Sequence, residues 1–99
     1  MQHYKNEATD ALMTAISRLE NAEECYSFFE DLCTIKELQE MAQRLETAAL
    51  LEAGNSYQKI SEKLGISTAT ISRVNRCLQY GAGGYRLVLD AKKDNGDQL

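Results

Sequence analysis

Proline is absent from the 99 residues, there is a single histidine, and no apolar run approaches the roughly 18 residues that a membrane span needs. Without proline, no residue removes a backbone donor from a helix or clashes with its preceding turn, which together with 43% hydrophobic content suits one mainly helical domain. The N-terminus is polar and has no apolar signal segment, so the expected location is the cytoplasm, with no membrane attachment. Cys25, Cys33 and Cys77 are odd in number and lack C-x-x-C spacing, and His3 lies in a terminus expected to be loose. Neither a disulfide framework nor a zinc site is expected from that pattern, and the thiols are read as small buried hydrophobes. No nucleophile and base pair or phosphate-binding loop is visible. The isolated charges Glu40, Arg44 and Glu46 on a helix are better read as surface groups than as catalytic ones, so an enzyme is not expected and no catalytic residue is assigned.

Charged residues make up 26% of the chain with a formal net of −4, but they are unevenly distributed. Residues 1 to 54 carry −7, residues 55 to 86 carry +4 with Glu62 their only acid, and residues 87 to 99 carry −1. One basic segment in an acidic chain can turn one face toward a polyanion, since phosphate binding responds to the local field.

That basic segment has the pattern of a helix-turn-helix over residues 56 to 80. Counted from Tyr57, apolar residues occupy the fourth, eighth, tenth, fifteenth and eighteenth places: Ile60, Leu64, Ile66, Ile71 and Val74. These are the places where two short helices crossing steeply bury side chains. Ser61 is small where the helices approach most closely, and Gly65 falls where a left-handed residue must end the first helix. Ser56 and Ser67 are positioned to cap the two helices. In such a motif the second helix enters the major groove by its N-terminal end and the first crosses the backbone, which makes double-stranded DNA the expected partner. Ile71, Val74 and Leu78 point inward. That leaves Ser67, Thr68, Ala69, Thr70, Ser72, Arg73 and Arg76 for the DNA side: Thr68, Ala69 and Ser72 toward base edges, Thr70 and Arg73 flanking the groove. Tyr57, Gln58, Lys59 and Arg76 are the expected phosphate contacts.

Elsewhere the spacing predicts a helix over about Asn6 to Glu20, carrying Ala8, Leu12, Ile16 and Leu19, and a second over Ala22 to Leu32. Tyr26, Phe28, Phe29, Leu32 and Cys33 make a dense apolar patch there, best read as core. Thr34-Ile35-Lys36-Glu37 has the form of a capping box opening a long third helix that Gly54 ends. After the reading helix, Gly81-Ala82-Gly83-Gly84 breaks the chain. Tyr85 to Leu89 is read as one or two further helical turns, with a short strand as the alternative. Residues 1 to 91 thus form one helical domain, and 92 to 99 a polar tail expected to be disordered.

Residues from about Phe28 to Leu89 resemble the Trp repressor superfamily, in particular its small Trp-repressor-related members of the YerC/YecD type. The resemblance rests on Thr34-Ile35-Lys36-Glu37-Leu38, Gln43-Arg44, Leu50-Leu51-Glu52-Ala53-Gly54 and Ser67-Thr68-Ala69-Thr70-Ile71-Ser72-Arg73. It implies an all-α fold of about six helices, interlocked with a second chain as a homodimer. It also implies a pseudo-palindromic operator and transcriptional regulation, most simply repression. In the Trp repressor two arginines flank bound L-tryptophan, and Arg44 and Arg73 match them; Thr34 matches a pocket-lining threonine. This chain has Val74 where the family has a glycine beside the indole and Cys77 where it has a serine, and its turn is one residue shorter. Those differences argue against L-tryptophan and leave any other effector of the pocket (Thr34, Arg44, Arg73, Val74, Cys77) open. A protein-interaction module on the same fold without specific DNA binding is the competing reading, motivated by the acidic first half.

Overall fold

Local capping sets where five of the helices begin. The computed structural model describes residues 4 to 94, with side-chain surroundings through Asp90; His3 and residues 95 to 99 lie outside the described residues. Among the described residues there are six helices and no strand: α1 (Glu7–Ser17), α2 (Ala22–Leu32), α3 (Ile35–Glu52), α4 (Tyr57–Leu64), α5 (Thr68–Tyr80) and α6 (Gly84–Asp94). The all-α architecture anticipated from the sequence is therefore present.

The chain divides into two units, residues 1 to 38 and 39 to 99, so that α3 starts in the first and runs on into the second. In the first unit, Asn6 and Thr9 cap each other reciprocally, each backbone amide donating to the other's side chain at 2.8 and 2.9 Å. Asn21 accepts from the Glu24 amide at the head of α2. Thr34 and Glu37 form the anticipated capping box, at 3.1 and 2.9 Å. Phe28 and Phe29 meet edge to face with ring centroids 5.6 Å apart. No residue of α1 or α2 is buried, and Tyr26 is 64% exposed. The aromatic patch is thus not a closed core within one chain, because two short helices present more apolar surface than they can cover between them.

The second unit holds every buried side chain among the described residues: Thr47 and Ala48 of α3, Ile60 of α4, and Ile71, Val74 and Leu78 of α5. The α5 residues repeat at three and four positions, one stripe of a 3.6-residue helix, and α5 packs against both α4 and α6. Thr47, fully buried, satisfies its hydroxyl by donating to the Gln43 carbonyl at 2.8 Å. Asn55 closes the end of α3, its backbone amide and its side-chain amide both donating to the Leu50 carbonyl. Arg86 of α6 pairs with Glu52 of α3 and donates to Gln79 of α5, which ties the last helix to two others. At Gly81 a Cβ would lie 2.4 Å from the Cys77 carbonyl oxygen, so the turn after α5 admits only glycine without a backbone shift.

Three expectations need correction. α1 ends at Ser17 rather than near Glu20, because Arg18 closes it and Asn21 is taken as the cap of α2. The final apolar segment is a full helix that runs to Asp94, so residues 92 to 94 are helical and not the start of a tail. Cys77 is exposed, and Cys25 and Cys33 are half-buried, so none of the thiols is a buried hydrophobe. Cys77 lies on the side of α5 that faces an open cleft instead of the core.

Candidate nucleic-acid interface

The helix-turn-helix is built from two caps and one left-handed residue. Ser56 accepts from the Lys59 amide at the head of α4, and Ser67 accepts from the Thr70 amide at the head of α5, each at 3.1 Å. Between the helices Gly65 has φ of 68° and ψ of 33°, a conformation that costs an L side chain about 1 kcal/mol or more. Its amide donates to the Ser61 carbonyl at 2.8 Å. Ile60, Ile71 and Val74 fill the buried face as their spacing requires, while Leu64 and Ile66 are half-buried.

Exposure follows the expected division. Gln58, Lys59, Ser67, Thr68, Ala69, Thr70, Ser72, Arg73 and Arg76 are exposed, and Tyr57 is half-buried. The helical repeat then separates the α5 residues into two strips. Ala69 and Arg76 lie opposite the buried stripe, with Ser72 and Thr68 following on one flank of the helix. Thr70, Arg73 and Cys77 instead line a cleft of about 580 Å³ with Val74, with Glu40, Gln43 and Arg44 of α3, and with Tyr85 of α6. The hydroxyls of Ser67 and Thr70 are 3.1 Å apart, so both are engaged at the cap.

Four of the five residues matched to an effector pocket, Arg44, Arg73, Val74 and Cys77, therefore meet around one cleft. Thr34 belongs to the first unit, where its hydroxyl caps α3. Among the described residues, neither Arg44 nor Arg73 forms an ion pair, so the cleft presents two guanidinium groups beside one carboxylate, Glu40. Glu40, Gln43 and Tyr85 were not anticipated there. The first two precede Arg44 by four and one residues, on the same side of α3, and that spacing was available as a signal; Tyr85 arrives across a glycine turn, which leaves no periodic trace. No group of three His, Cys, Asp or Glu side chains that could hold a metal occurs among the described residues. No described helix is long and apolar enough to cross a membrane.

The family model for the Trp repressor protein matches residues 7–93. The chain belongs to the Trp repressor family. It is 55% identical over 85 residues to the uncharacterized protein YerC of Bacillus subtilis (strain 168), covering 86% of this chain and 82% of that one. A crystal structure of a candidate Trp repressor from Staphylococcus aureus superposes with a TM-score of 0.87 at 47% identity, over 93% of this chain and 92% of that one. That of a TrpR-like protein from Eubacterium eligens ATCC 27750 gives 0.88 at 42% identity over the whole of both chains. Membership accounts for the six helices and for the helix-turn-helix at α4 and α5, the element by which a regulator of this kind meets DNA.

Proposed function

We propose that the protein is a sequence-specific transcriptional regulator, a repressor, that binds double-stranded DNA as a homodimer in the cytoplasm. The observation that carries this reading is the outward strip of α5. Thr68, Ala69, Ser72 and Arg76 stand exposed on a helix whose opposite face is buried and whose N-terminus is capped, within the basic segment of an acidic chain. The small side chains suit close approach to base edges, where hydroxyls donate or accept and the Ala69 methyl meets a thymine methyl. Arg76, with Tyr57, Gln58 and Lys59 at the head of α4, serves the phosphates, and that helix N-terminus favours an anion. Arg73 and Thr70 flank the groove. The unburied helices of the first unit support a second copy as the partner that covers them. Two copies would present α5 to successive major grooves about 34 to 36 Å apart on a pseudo-palindromic site.

In the same reading no cofactor is required, and the cleft with Arg44, Arg73, Val74 and Cys77 is an effector site that L-tryptophan does not fill. Footprinting on genomic fragments, followed by titration at several salt concentrations, tests the function. The expected result is a protected two-fold site. Arg76→Ala is expected to weaken binding to all duplexes alike and to reduce the salt slope by about one. Absence of any protected site, with Arg73→Ala and Arg76→Ala leaving weak binding unchanged, would reject the proposal. A stable protein partner recovered without DNA affinity above the non-specific level would favour the interaction-module reading instead.

A further inference from the structure

Ser61 holds the turn of the helix-turn-helix from both sides. Its carbonyl accepts the Gly65 amide at 2.8 Å, and its hydroxyl donates to the Ile66 carbonyl at 2.6 Å. The Ile66 oxygen belongs to the planar peptide group that joins Ile66 to Ser67, the cap of α5. Anchoring that oxygen to α4 fixes the plane from which α5 departs. The next links are also hydrogen bonds: Ser67 accepts the Thr70 amide, and the Ser67 and Thr70 hydroxyls are 3.1 Å apart. A continuous series of polar contacts therefore runs from the middle of α4 to the first turn of α5, the turn that carries Thr68 and Ala69. A small residue at this position is required only by the close approach of the helices. The hydroxyl does something more, because an alanine would fit the same space and leave the half-buried Ile66 carbonyl without this donor.

We infer that Ser61 is a positioning residue for base recognition: it touches no DNA, but it sets the attitude of the reading helix by clamping the Ile66–Ser67 peptide. This rests on the DNA-binding function proposed above. Phosphate contacts tolerate small displacements of a flexible side chain, whereas hydrogen bonds to base edges do not, so losing the clamp is expected to reduce discrimination between sequences and spare general affinity.

The test compares the unaltered full-length chain with Ser61→Ala and with Thr47→Val. The second removes another hydroxyl-to-carbonyl bond in the same unit, one made within α3 and not across the turn between α4 and α5. Sites selected from a random duplex library are competed against unrelated duplex, and amide hydrogen exchange is followed over α5. Ser61→Ala is expected to lose about fivefold in preference for the selected site, with affinity for unrelated duplex retained and exchange at the first turn of α5 accelerated. Thr47→Val is expected to lower thermal stability and keep the preference. Equal preference and equal exchange in Ser61→Ala and the unaltered chain would overturn the positioning role alone. An equal loss of preference in Thr47→Val would also overturn it, since general loosening would then suffice. An unaltered chain with no preference for any duplex would overturn both this role and the DNA-binding function.

Discussion

Val74 serves two surfaces at once. It is 3% exposed, one of the α5 side chains that close the core of the second unit, and it also lines the cleft between Arg44 and Arg73. A β-branched residue held by the core cannot swing aside for a planar ligand, because its one favoured helical rotamer is fixed by the packing beneath. L-tryptophan is therefore expected not to bind with a Kd below about 100 μM. The sequence contains no tryptophan, so with excitation to the red of its five tyrosines the emission anisotropy reports the added amino acid alone. Saturable binding in the micromolar range would contradict this. At this scale much was legible beforehand: the left-handed Gly65, the small Ser61 and the inward Ile71, Val74 and Leu78 each follow from a spacing rule. The Ser61 hydroxyl bond was not legible. The sequence demands a small side chain there, and several residue types meet that demand equally.

Helix boundaries are legible where a polar side chain competes for the first free amides, and poorly legible elsewhere. Thr34 with Glu37, Ser56 and Ser67 announce the starts of α3, α4 and α5 in the sequence. The reciprocal Asn6 and Thr9 pair lacks the usual glutamate and went unrecognised. The end of α1 is masked in the sequence, because the apolar period persists to Leu19 after the backbone has left the helix at Arg18. The full length of α6 leaves little trace in the sequence, because Leu87-Val88-Leu89 has no clear period and glycine precedes it. The cap of α5 has a measurable worth. Ser67→Ala is expected to cost about 1 kcal/mol, a fall of roughly 4 to 8 °C in Tm for a chain of this size, read by the helical circular dichroism signal during heating. No change in Tm would show that solvent serves the Thr70 amide as well as the Ser67 hydroxyl does.

For the whole molecule, apolar side chains left outside any core are the dominant feature. Ile35 is 73% exposed, Leu87 76% and Tyr80 86%, and the first unit has no buried helical residue at all. At roughly 25 cal/mol per Å² of apolar surface, removing several such side chains from water is a large driving force for association. Sedimentation equilibrium at micromolar concentration is expected to give twice the 11.1 kDa of one chain, and Leu32→Asp to shift the population toward monomer. A monomer that melts cooperatively with α1 and α2 intact would contradict that expectation. The sequence hinted at this need through the density of aromatic residues in α2, but periodicity says only that a face is apolar, never whose surface covers it.

The five caps have a bearing on how such a chain reaches its final state. Each links a side chain to an amide only three residues away, so none requires distant parts of the chain to find one another. Closing loops that short has little entropic cost, and helical turns form in well under a millisecond. The limits of the helices can therefore be drafted by each molecule alone and early. In the proposed homodimer, the slow step is then the encounter that covers α1 and α2. If the proposed homodimer is the competent form, the rate at which a freshly made chain becomes competent depends on how many others like it are nearby, and supply of the chain would set the timing as well as the amount of whatever it regulates.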